Sequence, residues 1–232
     1  WEDNLVFINN NYPVDPPSFG VATFDALNEK GVPYIQGSSI SGPADSLTSV
    51  PLKLGQYDPA DDLVLSFFVQ AKGLGNTPEP ADSFALLFLD DQGKWNQVWD
   101  ITAAQASTND FQYVEIPLTN TKNLFDGFQM RFRNRATLSG NNDHWHLDYV
   151  HLDENRSLGS PNLNDVAIVS ATGSLLENYY EMPLYQFQGF ETQELRDEIF
   201  IRAKNHDNAI VNTDFFYDAL ENCTGSQFSS GF

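Results

Sequence analysis

Cysteine occurs once, at Cys223, so the chain cannot form an internal disulfide and its stability must come from packing. Basic residues are also few. Twelve Lys plus Arg stand against 32 Asp plus Glu, for a net charge of −20. Such a surface repels phosphate backbones and anionic headgroups, so no nucleic-acid partner is expected. No apolar run reaches the ~18 residues of a membrane span, and no direct membrane insertion is expected either. Catalytic signatures are missing: there is no nucleophile elbow, no phosphate-cradling Gly loop and no Cys/His pair with a visible partner. The adjacent acids Asp61-Asp62 and Asp90-Asp91 read as turn formers, because neighbouring side chains diverge. The chain opens on Trp1 with neither Met nor a signal sequence, the form expected of a trimmed, exported product.

What the sequence has in quantity is aromatic residues: 18 Phe, 9 Tyr and 4 Trp, enough for a large core. Short apolar runs recur between Gly, Pro, Asn and Asp, the pattern of an all-β protein. Leu5–Ile8 reads as an edge strand and Val21–Phe24 as a second short one. Residues 36–49, rich in Ser and Gly, read as loop. Leu63–Ala71 is a nearly continuous apolar run, expected as a central strand covered on both faces. Phe84–Leu89 and Trp95–Ile101 flank the hairpin turn Asp90-Asp91-Gln92-Gly93. Phe111–Leu118 and Phe128–Arg133 follow; in the latter Phe128, Met130 and Phe132 point inward and Gln129, Arg131 and Arg133 outward. The set closes on Asp143–Asn155, DHWHLDYVHLDEN, with Trp145, Leu147 and Tyr149 on one face and His146, Asp148 and Val150 on the other. Turn signals every 8–14 residues predict a two-sheet jelly-roll sandwich over 1–156. A linker (157–164) then leads to a partial immunoglobulin-like β domain (165–232), whose strands are expected at Asp165–Ser170 and Glu198–Ala203.

The run DSFALLFLDDQGKWNQVWDI, then FQYVEIPL, FDGFQMRFRNRA and DHWHLDYVHLDENR resembles MAM-like jelly-roll domains in order and punctuation. The opening VFINNNYPVDPPSFGVATFDALNEKGVPY resembles the start of exported cell-surface proteins of gliding and related Bacteroidota. In those proteins a sandwich precedes Ig-like repeats and a type IX secretion signal. The resemblance implies an extracellular or cell-surface location. It also implies a non-enzymatic role in adhesion or surface assembly, with polysaccharide or other surface proteins as partners. Two alternatives stand beside it: a structural subunit of a surface fibre or secretion-linked complex, and an accessory region of a secreted hydrolase.

Four candidate sites follow. Ca²⁺ takes six to eight oxygens, and a structural ion is expected where the first and last strands meet, held by Asp25, Asn28, Asp143 and Asp148. A sugar platform needs exposed rings beside polar groups, and Trp95, Trp99, Arg131 and Arg133 supply both, although Trp in such strands also serves as core. His144, His146 and Asp148 recur at every second position and offer a weaker transition-metal set. Asp45-Ser46-Leu47 resembles the Bacteroidota O-glycosylation acceptor, with Ser46 carrying the glycan. Asp82-Ser83-Phe84 is a looser match, and Asn155-Arg156-Ser157 and Asn222-Cys223-Thr224 fit the N-glycosylation triplet.

Overall fold

The computed structural model describes residues 1–3, 5–159, 163–214, 217–220 and 227–231. Cys223 and the triplet around it lie outside the described residues. In chain order the strands are β1 (Phe7–Asn9), β2 (Val21–Phe24), β3 (Ser41–Thr48), β4 (Leu52–Lys53), β5 (Val64–Ala71), β6 (Ser83–Leu89) and β7 (Trp95–Thr102). They continue with β8 (Gln112–Pro117), β9 (Asp126–Phe128), β10 (Met130–Thr137) and β11 (Trp145–Asp153). Two antiparallel sheets result, one of order β1-β2-β11-β5-β8 and one of order β3-β10-β6-β7, with β4 and β9 pairing separately. The protein is all-β, built on a two-sheet sandwich.

The inner faces meet in an aromatic core. Phe24 and Phe84 pack edge to face at 4.8 Å between centroids, Phe67 and Phe132 at 5.0 Å, and Trp145 stacks on Phe84 at 5.6 Å. All five rings are fully buried. The period-two pattern of β10 is realised: Met130 and Phe132 enter the core, while Arg131 and Arg133 alternate outward. β5 lies between β11 and β8 and is buried along nearly its whole length, as its apolar run predicts.

Three departures from the sequence pattern matter. Residues 41–48 form a strand, not a loop: Leu47 enters the core, and the Asp45 amide donates to the Asn134 side chain where the pairing with β10 shifts register. β3 is the outer strand of its sheet, so Pro43 removes no ladder bond that the sheet needs. The second departure lies in β11. Its register with β5 slips between Asp148 and His151, and Tyr149 takes a φ of 51°. This bulge reverses the alternation. Val150 packs on the core, and Tyr149 turns outward against Phe68 and His206. A third slip, in β7 opposite Leu86 and Leu87, leaves Trp99 paired with Leu86 on the core side.

Beyond the sandwich, β12 (Val166–Ile168) and β13 (Ala203–Asn205) form a ribbon, and β14 (Tyr217–Leu220) and β15 (Gln227–Gly231) form another. Between β12 and β13 in sequence lie two one-turn helices, α1 (Leu184–Phe187) and α2 (Glu191–Glu194). The strand expected over 198–203 begins only at Ala203. These ribbons are the described strands in the stretch where a partial Ig-like unit is expected.

Candidate functional site

The two outer faces of the sandwich differ in what lies over them. Segment 9–20 runs across the five-stranded sheet and is bonded to its side chains. The Asn9 amide donates to Thr23 Oγ1 (2.7 Å), which contacts His146 Nδ1 (2.9 Å), and His146 Nε2 reaches the Lys72 carbonyl (3.0 Å). A carbonyl can only accept, so Nε2 carries the proton and Nδ1 accepts from the threonine hydroxyl. Gln70 accepts from the Val14 amide (3.0 Å) and donates to the Val14 and Asn109 carbonyls. Asp148 accepts from the Ser18 amide and hydroxyl, both at 2.7 Å. The same face also meets the tail, through Tyr149 to Asp165, His206 to the Pro17 carbonyl (2.7 Å) and Lys204 to Asp15 (3.0 Å).

This accounts for His146 and Asp148 without a metal. Both ring nitrogens of His146 and both oxygens of Asp148 already have protein partners, and burial pushes the His146 pKa down to about 4. His146 and Asp148 therefore form a hydrogen-bonded floor beneath segment 9–20, while the His144 ring packs on Tyr12 at 4.9 Å, its Nδ1 accepts from the Asn76 amide and its Nε2 is buried without a partner.

The outer face of the four-stranded sheet is built differently. Directly paired residues share a face, so register gives three rows. Thr48, Arg131, Leu87 and Gln97 form one; Ser46, Arg133, Ala85 and Asp100 the next; Pro43, Arg135, Ser83 and Thr102 the third. Leu89 and Trp95 pair at the end nearest the β6–β7 turn. Ala85 and Leu87, on the inner strand β6, are 7% and 6% exposed. The Arg131 guanidinium lies over the Trp95 ring, 4.1 Å from its centroid, and its Nε donates to Thr48 Oγ1 (2.8 Å). Arg135 donates to the Ser41 carbonyl (3.1 Å). Among the described residues Arg133 has no side-chain partner, and none of the three arginines pairs with a carboxylate.

Of the expected platform, Trp95, Arg131 and Arg133 thus come together. Trp99 does not: the slip in β7 turns it inward, where it meets Phe67 edge to face at 5.2 Å. Arg135, Gln97 and Asp100 complete the face. Arg135 continues the alternation of Arg131 and Arg133 by one step, a signal present in the sequence; Gln97 and Asp100 required the register of β7. Ser46 sits on this face within a paired strand, and its hydroxyl donates to Asp3 (3.2 Å). Its neighbours in the acceptor pattern, Asp45 and Leu47, are buried.

The carboxylates expected to hold an ion are distributed otherwise than their order suggests. Asp25 accepts from the Leu27 amide, Asn28 from the Lys30 and Val32 amides, and Asp148 from Ser18. Asp143 instead converges with Glu79 and Asp82 of the β5–β6 loop, their ligand oxygens all within 4.8 Å of one another. Asp143 is 1% exposed; Oδ2 accepts from the Thr137 amide (2.7 Å), and Oδ1 is buried with no partner. Burial, reinforced by Glu79, pushes the Asp82 pKa up to about 7 and raises that of Asp143 as well. Three carboxylates with an orphaned buried oxygen fit a hard divalent cation, which takes carboxylate ligands and would relieve their repulsion. A second buried acid, Asp45, is likewise raised to about 7 by burial, but the Ala26 amide and the Tyr34 hydroxyl satisfy its two oxygens.

No known family profile matches the chain, and no curated protein matches it. Among solved structures it is similar to an arabinose-bound α-L-arabinofuranosidase (13% identity, TM-score 0.37), covering 69% of this chain but 24% of that one. It is also similar to a carbohydrate-binding module solved with β-1,4-galactotriose (14%, TM-score 0.34), covering 60% and 72% of the two chains. A third is a non-crystalline-cellulose-specific carbohydrate-binding module (15%, TM-score 0.35), covering 64% and 79%. At these identities and TM-scores the likeness carries no argument about function, and the sugars named belong to those proteins.

Proposed function

We propose that this protein is a non-catalytic, exported surface protein that engages polysaccharide through the outer face of β3, β10, β6 and β7. The observation that carries this reading is the uncovered row of Arg131, Arg133 and Arg135 beside Trp95, set over a small apolar floor. Guanidinium donors and an indole suit a hydroxyl-rich chain that has both polar edges and apolar faces. Binding rather than turnover suits the same residues, because arginine does not exchange protons in the range an acid–base catalyst requires. Export and a cell-surface location rest on the acidic, well-solvated composition and on the resemblance to Bacteroidota surface sandwiches. The direct test is affinity electrophoresis of the full chain through gels containing a panel of polysaccharides. Retardation by at least one, relieved by Trp95→Ala together with Arg131→Ala, is the expected result. Unchanged mobility in every gel contradicts the reading.

In this proposal a calcium ion at Glu79, Asp82 and Asp143 supports the sandwich. These residues tie the β5–β6 loop to the start of β11, and the buried, unpartnered Asp143 Oδ1 favours the ion there over a site at Asp25.

One observation favours surface assembly as a second activity. β1 is an edge strand of three residues with Phe7 and Ile8 51% and 58% exposed, and such an edge can accept a strand from another chain. Assembly through it requires Ile8→Lys to lower the sedimentation coefficient of any oligomer formed at high concentration. Oligomers insensitive to Ile8→Lys would contradict it.

A further inference from the structure

The geometry points to an acidic polysaccharide, one carrying carboxylate or sulfate groups along its length, as the ligand class of the four-stranded face. The inference rests on the proposed polysaccharide reading and narrows it.

Charge points to this class first. A chain of net −20 has twelve Lys plus Arg to distribute, and three of them stand at alternate positions of one strand on one face. With 32 acids in the chain, ion pairing would be the expected fate of an arginine, yet among the described residues none of the three is paired with a carboxylate. The acids at the rim are occupied by neutral donors instead. Asp3 accepts from Thr48 and Ser46, Glu2 from Gln129, and Asp100 from Gln97. Among the described residues the guanidiniums form no ion pair, although Asp3 and Asp100 lie on the same face.

The state of the indole points the same way. In a site for uncharged sugar the Trp95 ring would be expected to stand open for stacking, but the Arg131 guanidinium already lies over it at 4.1 Å. The stack and the bond to Thr48 fix the orientation of that side chain, leaving its other N–H groups for a ligand. A pre-set guanidinium fork matches a planar carboxylate or the oxygens of a sulfate, and charge-assisted bonds of this kind are the stronger ones. The spacing of the arginines agrees. Alternate residues of a strand lie about 6.8 Å apart, so the three arginine positions span about 14 Å along β10. This suits a polymer with recurring anions better than a single anion.

The acidity of the rest of the molecule sets a condition on this site. At physiological salt, fields are screened beyond about 8 Å. The local arginines can therefore act on a docked chain, whereas at low salt the surrounding acids repel it.

Dextran and dextran sulfate share a backbone and differ in charge, and polygalacturonate supplies the carboxylate case. Titration calorimetry of the full chain against each, at 0.15 M salt, separates the possibilities. The expected result is binding of dextran sulfate or polygalacturonate, or both, and none of dextran; which one binds identifies the anion. Arg133→Glu, at a half-buried side chain without partners, should weaken binding by at least about tenfold with an unchanged thermal midpoint, and Arg133→Lys should recover part of it. Binding of an uncharged polysaccharide that is insensitive to Arg133→Glu but lost with Trp95→Ala would overturn the acidic ligand class and leave the broader reading standing. Absence of binding to the charged probes and to a neutral panel alike would overturn both.

Discussion

The two faces of this sandwich both carry polar side chains and use them in opposite ways. On the five-stranded sheet Thr23, Gln70, His146 and Asp148 are buried, and each has its polar atoms matched by segment 9–20 or a neighbouring carbonyl. Burying such groups costs free energy unless every donor and acceptor is met, so that face is committed to holding the chain's own N-terminal segment. On the four-stranded sheet Arg131, Arg133 and Arg135 are only partly engaged, and no described segment is bonded across them. A polar group on a strand can therefore be scaffold or site, and the difference lies in whether the protein supplies its partner.

This contrast predicts large stability effects on the covered face and small ones on the open face. The largest is expected at Gly73, where the β5–β6 loop passes beneath segment 9–20 with φ of 55°. A Cβ there would overlap the Tyr12 carbonyl oxygen and crowd His146 Nε2 and Gln70 Oε1. Gly73→Ala should cost about 2–4 kcal/mol from steric overlap and left-handed strain combined. Urea unfolding checks this, and a loss below about 0.5 kcal/mol, the size of an ordinary surface substitution, would mean that the segment is not seated as described.

Next in size is the dependence on pH, where two buried groups oppose each other. The folded protein holds His146 neutral down to about 4, while the unfolded chain takes up the proton near 6.5. Stability from this group is lost as pH falls through that window, by about 3 kcal/mol in all. Asp45, raised from 3.8 to about 7, has the reverse sign: its contribution is complete below about 4 and disappears as pH rises through 7. Asp45→Asn removes one side of the balance, so its stability should fall more steeply than wild type between pH 7 and 4. Parallel profiles, measured in EGTA, would contradict this assignment.

Calcium should have an intermediate effect. A ligand bound only by the native state at about 100 times its Kd adds about 2.7 kcal/mol. Millimolar calcium should raise the thermal midpoint of the wild type and leave that of Asp82→Asn nearly unmoved. A rise abolished by Asp25→Asn but retained in Asp82→Asn would return the ion to the Asp25 side of the sandwich. The smallest stability effect is expected at Arg133, on the open face: Arg133→Ala should change unfolding free energy by no more than about 0.5 kcal/mol. A cost several times larger would make Arg133 part of the scaffold.

Much of this architecture is legible in the chain. The alternation of Phe128–Arg133 gave both the face and the direction of the arginines, and the apolar run of β5 gave a covered inner strand. Two of the failures share one physical cause. Period-two reasoning assumes an unbroken ladder, and the slips in β7 and β11 each displace the pattern by one residue. Trp99 went to the core and Tyr149 to the surface for that reason alone. Residues 41–48 were hidden because Ser, Gly and Pro on an edge strand look like loop until Leu47 and the Asp45 amide find partners. The carboxylate cluster was half visible. Asp143 was identifiable as a candidate ligand, but Glu79 and Asp82 lie more than sixty residues earlier, and only the folding of the β5–β6 loop against the start of β11 brings them together.

The central claim, that the open four-stranded face receives a polysaccharide while the five-stranded face is sealed by its own chain, can be tested by mapping amide chemical shifts of the 26.0 kDa protein during titration with dextran sulfate or polygalacturonate. The account predicts that perturbed amides cluster at Ser46, Thr48, Ala85, Leu87, Trp95, Gln97 and 131–135, with 66–70 and 146–151 unmoved. Perturbations centred on segment 9–20 and those latter strands, with the arginine face silent, would contradict it.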